Sequence, residues 1–323
     1  MADVESLIAA NDLDELIREV DRRCEAGDWS GLVDLRDRCA RSHEVGRQMW
    51  PAASHAEHRL ALEAPGRWAA QVVVEGAAHL GVGPIAEVAA STHTWDELAE
   101  HLPVGPLRTV VALERVVRGE DLSALAPHLS PPAELPLRLA PWEPEPPEVR
   151  YRAWKVEDPP PRLEGPAVPV GGAGKRLERG PEEEALADLA RTWVEQSEGR
   201  VRTIGVRGDG PAAIAALDPQ ALATPVTLTD AVALMSWTAA TGGAHGRRRG
   251  AAAGRTAAWW ALAVLCGLED DWPPDPDELG AAGEELEWWT WRPSEPRTGW
   301  STCLAAADPL DGLAWALDAH DPG

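Results

Sequence analysis

Phenylalanine is missing from this 323-residue chain and tyrosine occurs once, at Tyr151, whereas tryptophan occurs 16 times. Aromatic packing therefore falls to indoles, each of which wants an acceptor for its N–H when buried. Lysine is almost as scarce, with only Lys155 and Lys175 beside many arginines. That is the bias a GC-rich genome imposes, and it carries no functional content. Positive charge is outnumbered, 30 Lys+Arg against 53 Asp+Glu, for a formal net charge of −23. A chain this acidic lacks the basic field that draws proteins to DNA, RNA or anionic lipid, so neither a nucleic-acid nor a membrane partner is expected. Cys24, Cys39, Cys266 and Cys303 are scattered without C-x-x-C spacing, and Met1-Ala2-Asp3-Val4 does not open like a secretory leader. The expectation is a reduced, cytoplasmic protein without a zinc knuckle. The longest apolar run, residues 251–268, is interrupted by Gly254 and Arg255 and reads as a buried helix, not a membrane span. Also missing are a G-x-S-x-G elbow, a G-x-G-x-x-G after a strand and an aspartate cluster at metal spacing, and no cofactor is expected.

What is present suits a folded, two-domain protein. Hydrophobic residues make up 44% and charged residues 26% of the chain, and its length accommodates two domains of about 100–200 residues each. Residues 1–130 read as amphipathic helices in series. Leu13, Leu16, Ile17 and Val20 recur at helical spacing between an Asn11 or Asp12 cap and a Gly27 stop. Further helices start at Trp29, Pro51, Pro65, Pro84, Thr94 and Pro106. Short helices joined by tight turns cannot each cover an apolar face alone, which predicts a solenoid-like array or an irregular bundle, with a surface for a protein partner. His55 and His58 lie at i and i+3 on one helix, a placement that metal-binding bundles use, but no H-E-x-x-H and no second Glu-x-x-His helix accompany them. They read as polar face residues, so no metal is expected. His43, His79, His93, His101 and His128 are isolated.

Twelve of the 29 prolines fall between Pro131 and Pro169, a density no helix tolerates. Residues 131–174 thus form a crossing segment, with 148–156 alternating like an edge strand of the following domain and Gly171 to Gly174 as a joint. Residues 175–323 mix helices and strands. Helices are predicted at 181–197, 211–217, 231–241 (capped by Thr229), 251–268 and 277–285. Strands are predicted at 201–206, 287–291, 300–307 and 313–317, the last three as a meander. The predicted fold class is α+β: an all-α helical array followed by an α+β domain with a small, mostly antiparallel sheet of four or five strands.

One stretch stands out against the acidic background. Gly242-Gly243-Ala244-His245-Gly246-Arg247-Arg248-Arg249-Gly250 leads through Gly254 and Arg255 into the helix that is apolar nearly all round. With Ala258-Trp259-Trp260 and Gly299-Trp300-Ser301, it resembles an uncharacterised protein family of GC-rich bacteria. That family has no established activity, so the resemblance implies no catalytic residues. Two physical readings are open. In one, Gly243, Gly246 and Gly250 let backbone approach a small anion, while Arg247, Arg248, Arg249 and Arg255 supply charge and His245 an acid or base. In the other, these arginines pair with the chain's own carboxylates, including those of the Pro/Glu tract, and the glycines permit a tight helix–helix corner. Arg247-x-x-Gly250-x-Ala252 also resembles the acyl-CoA pyrophosphate loop of N-acetyltransferases. That loop follows a strand, however, whereas residues 231–241 read as a helix. The sequence therefore predicts a binding or scaffold protein, with an enzyme or sensor for a phosphorylated or nucleotide-like small molecule as the alternative. Its oligomeric state is left open.

Overall fold

The computed structural model of the protein describes residues 3–42, 46–78, 81–145, 149–172 and 174–323. Of the positions singled out above, Met1, Ala2, His43, His79, Glu148 and Ala173 lie outside these ranges. The chain divides into two compact units, Met1–Ala133 with Glu148–Asp158, and Glu134–Pro147 with Pro159–Gly323. Parts of the Pro-rich tract thus fall in each unit.

The first unit is a series of helices: α1 (Val4–Ala10), α2 (Leu13–Ala26), α3 (Trp29–Arg41), α4 (Trp50–Glu63), α5 (Gly66–Ala69), α6 (Ile85–Thr92), α7 (Trp95–Ala99) and α8 (Pro106–Val117). Local chemistry sets their ends. Asp12 accepts the Glu15 N–H at the start of α2, and Gly27 closes it in the left-handed region at φ 65°. Thr94 and Glu97 form a reciprocal capping box on α7. The helix expected from Pro65 to residue 74 is shorter, because α5 passes at once into a 3-10 turn, Ala70–Val72. Successive helices stack, with α2 and α3 on α4, α4 on α6 and α6 on α8. Their core is aliphatic, and Leu16, Leu32, Leu35 and Leu60 are fully buried.

The strand anticipated at residues 148–156 belongs to this unit and not to the following sheet. β1 (Arg150–Tyr151) and β2 (Val156–Glu157) form a two-stranded antiparallel ribbon. Its anchor is the single tyrosine: Tyr151 donates to Glu87 Oε2 at 2.5 Å, and Glu87 is fully buried on α6. Arg118 at the end of α8 lies 3.5 Å from the other Glu87 oxygen and 2.7 Å from Glu114 Oε2, so buried carboxylates are met by a buried guanidinium.

The second unit is built on a seven-stranded, wholly antiparallel sheet. It comprises β3 (Val168–Pro169), β4 (Lys175–Arg176), β5 (Arg200–Arg207), β6 (Leu222–Val226), β7 (Glu287–Arg292), β8 (Trp300–Asp308) and β9 (Leu313–Asp321), in the order β3-β6-β7-β8-β9-β5-β4. The α+β class holds, with a larger sheet than the four or five strands expected. The extra strands have physical reasons for being illegible. β3 and β4 are two-residue edges, and β6 contains Pro225, which reads as a strand breaker. Since β3 pairs only with Leu222 and Ala223, Pro225 has no neighbour on that side and no ladder bond to lose.

Helices α9 (Pro181–Leu189), α10 (Arg191–Gln196), α11 (Gly210–Leu217), α12 (Leu228–Ala240), α13 (Ala251–Leu265) and α14 (Pro276–Glu285) complete the unit. α11 packs on one sheet face, against Cys303, Ala305, Ala307, Ala314 and Ala316. α9 and α12 pack against strands of the sheet as well, α13 lies on both of them, and Thr302 and Thr238 share a buried hydrogen bond of 2.7 Å between β8 and α12. Two helix expectations are corrected. The run 181–197 breaks at Ala190, and the cap of α12 is Thr227, paired with Asp230, so that Thr229 sits inside the first turn. As the composition required, indoles fill the aromatic core: Trp237 stacks on Trp300 at 5.3 Å, and Trp193 stands edge-on to Trp237, its N–H on Thr241 Oγ1 at 2.9 Å.

Candidate functional site

The Gly/Arg stretch links α12 to α13, and its backbone donors face the protein's own acceptors. The Ala244 N–H donates to Asp321 Oδ2 at 2.7 Å, His245 N–H to Ser197 Oγ at 3.1 Å, Arg247 N–H to Gln196 Oε1 at 3.1 Å and Arg249 N–H to Ala240 O at 2.7 Å. Asp321, fully buried at the end of β9, occupies the place an incoming anion would take. Burial alone would raise its pKa. The Ser197 hydroxyl and the Ala244 N–H outweigh that and hold the carboxyl below its ordinary value. Gly243 is required here, since its φ is +75° and a Cβ would overlap Asp321 Oδ2. Gly246 lies in the same turn, and Gly250 is the N-cap residue of α13.

The four arginines do not converge. Arg255 is 4% exposed and fully engaged. Its Nε and one terminal nitrogen clasp Glu143 at 2.6 and 2.8 Å, the carbonyls of Pro136 and Arg138 accept at 2.9 and 3.0 Å, and the guanidinium lies 5.4 Å from the centre of the Trp259 ring. Trp259 adds its own N–H to Glu143 Oε1 at 2.8 Å. This clamp fastens the segment from Pro136 to Glu143 to α13. Arg248 is buried, Arg247 is exposed, and neither is a free cation. His245 is exposed and stands apart from the groove described next.

Arg249 differs. It lines a groove of about 860 Å³ in the second unit, and its guanidinium has no hydrogen bond or ion pair among the described residues. Trp260, 39% exposed on α13, and Trp272 form one wall, with ring centres 5.3 Å apart and planes at 79°. Glu134 accepts the Trp272 N–H at 2.8 Å and fixes that ring. The opposite wall comes from α9 and α10. Asp188 and Arg191 pair with each other there, Glu195 and Gln196 are exposed, and the hydroxyl of Thr192 is buried with no hydrogen-bond partner. Sequence reasoning reached Arg249 but missed Thr192, Trp260 and Trp272 as groove residues. The doubled tryptophan at 259–260 was the available signal, because adjacent helical positions differ by about 100° in direction and rarely bury equally.

His55 and His58 are separately engaged in the first unit. His55 Nε2 lies 3.2 Å from Asp21 Oδ1 and its ring stacks on Trp154 at 3.7 Å, while His58 Nε2 donates to the Arg152 carbonyl at 2.8 Å. Burial pushes both imidazoles below their ordinary pKa. Among the described residues no group of three or more His, Cys, Asp or Glu side chains is placed to hold a metal ion, and no helix is long and apolar enough to cross a membrane.

No curated protein matches the chain, and no solved structure matches it. The model of a family of unknown function (DUF6183) matches residues 14–322, nearly the whole length, and the chain belongs to that family.

Proposed function

We propose that this is a binding protein without turnover, which takes a small ligand into the groove of its second unit and offers the helices of its first unit to a protein partner. One observation carries the reading: on α13, Arg255 and Trp259 are closed onto Glu143, whereas Trp260, with Arg249 just ahead of the helix, stands open in the groove. At about 860 Å³ the groove falls in the size range of small-molecule sites, about 300–1,000 Å³. Arg249 supplies a charged fork for an acidic group, and Trp260 supplies a flat apolar face. The glycine corner serves as the frame that holds them. Burial pushes all four thiols up to about 12, so they stay protonated and unreactive near neutral pH, in keeping with a cytoplasmic setting. For the partner surface, Trp50, Val104 and Trp154 are exposed on the first unit, and aromatic side chains are enriched where proteins meet.

A phosphorylated or nucleotide-like ligand, its phosphate on Arg249 and its base on Trp260, is the second reading, favoured by the unpaired guanidinium. A thermal-shift screen of the full chain with nucleotides, coenzyme A, inorganic phosphate, amino acids and betaines tests both. At least one class is expected to raise the melting temperature, and the rise should vanish in an Arg249→Ala/Trp260→Ala variant. No rise from any class, or an undiminished rise in the variant, counts against the groove.

A further inference from the structure

We infer that the groove is built for a zwitterion, with an ammonium group seated in the corner between Trp260 and Trp272 and a carboxylate held by Arg249. This rests on the groove being the ligand site and names the class of molecule it takes.

The charges lining the groove decide against a simple anion. Glu134, Asp188 and Glu195 contribute three carboxylates, and Arg191 and Arg249 two guanidiniums. Asp188 and Arg191 neutralise each other. The Glu134 carboxylate is already an acceptor for Trp272, which orients the oxygen but leaves its charge in place. Glu134, Glu195 and Arg249 keep their charge, and Glu195 and Arg249 have no side-chain partner among the described residues. A phosphate or nucleotide drawn to Arg249 enters a groove where the carboxylates left unneutralised, Glu134 and Glu195, outnumber the one free guanidinium. A molecule carrying both signs meets complementary charge at both ends.

The aromatic corner specifies which end goes where. Two indoles set nearly perpendicular, with their centres 5.3 Å apart, line the same part of the groove. A ring face attracts a cation within about 6 Å of its centre, and aromatic corners are a known device for ammonium recognition. Glu134 keeps Trp272 in place through its N–H, so the corner exists before any ligand arrives and little ordering is left to do on binding. At the same time its carboxylate adds to the attraction for a cation.

A second observation is independent of these charges. Thr192 lines the groove, is only 7% exposed, and its hydroxyl has no hydrogen-bond partner. Buried hydroxyls are nearly always paired, and an unpaired one carries a penalty that a ligand atom relieves. A carboxylate oxygen on Arg249 or a ligand hydroxyl supplies that partner.

Amino acids and betaines share the ammonium-plus-carboxylate chemistry and differ in whether the nitrogen is primary or quaternary. Isothermal titration of the full chain with γ-aminobutyrate, glycine betaine and L-carnitine separates the two forms. Choline supplies the cation alone, acetate the anion alone, and AMP an aromatic anion. At least one zwitterion is expected to bind about tenfold or more tightly than choline or acetate. Trp260→Ala and Arg249→Gln should each weaken it by about tenfold, and the near-isosteric Thr192→Val by about fivefold, with far-ultraviolet circular dichroism unchanged and cooperative melting retained. Binding of AMP with none from any zwitterion overturns the zwitterion assignment while leaving the groove a ligand site. No heat from any probe overturns the assignment and the groove together. Zwitterion binding that survives all three substitutions places the ligand elsewhere and overturns the assignment as well.

Discussion

Two sides of one helix behave oppositely. On its closed side, α13 carries Arg255 and Trp259 into a cage of Glu143 and two carbonyls, with all three nitrogens of the guanidinium engaged. On its open side Trp260, with Arg249 just ahead of the helix, faces a groove. Both sides use an arginine and a tryptophan. A buried ion pair is tolerated only when its remaining donors and acceptors are satisfied, and the closed side meets that condition. The open side does not need to, because water reaches it. Arginine content alone therefore does not tell the open side from the closed one; the supply of internal acceptors does.

The strongest way to break this contrast is to unbalance the clamp. Glu143→Gln leaves Arg255 as a buried charge without its counter-ion and should cost about 3–5 kcal/mol of unfolding free energy by urea titration. A loss under about 1 kcal/mol would mean that the clamp is not a structural element. Next in size is Gly254→Ala. Its Cβ would overlap the Ser236 carbonyl where α13 crosses α12, so the helices must part, at about 1–3 kcal/mol. A neutral or stabilising result would show that the two helices have room to spare.

A smaller, pH-gated effect belongs to Asp321. Its folded pKa lies below the ordinary 3.8, so its contribution is fully present above that pH and is lost as pH falls below it toward the depressed value. Thermal melts of the wild type should therefore steepen in acid dependence below about pH 4, and Asp321→Asn should flatten part of that slope. Identical slopes in the two proteins would remove Asp321 from the corner's electrostatics. Smallest of all, Arg249→Ala should leave stability within about 0.5 kcal/mol, the usual range for an exposed, unpaired side chain. A loss comparable to that of the Glu143 variant would erase the distinction between the sides.

Much of the fold was legible. Asp12 and Gly27 bracket α2, Thr94 caps α7, and the alternation in β7 and β9 marks two strands of the meander, because caps and side-chain periodicity are local properties. Illegible were β3 and β4, too short to show a period, and β6, whose Pro225 is tolerated only because its outer neighbour stops short. The run 148–156 read as one edge strand of the second sheet, and nothing local told that it would hold a short ribbon instead or that Tyr151 would pair with Glu87 in the helical unit. The candidate site was legible as a stretch, not as an arrangement. Nothing near Arg255 in sequence names Glu143, which lies 112 residues away.

What the sequence alone determined is the set of elements, the α+β class, the reliance on indoles and the helix that precedes Arg247 where a phosphate loop would have a strand. What only the tertiary structure decided is which arginine is closed in and which is open. That choice depends on which carboxylates and carbonyls the folded chain brings within about 3 Å, a long-range property that no local pattern of glycine and arginine encodes.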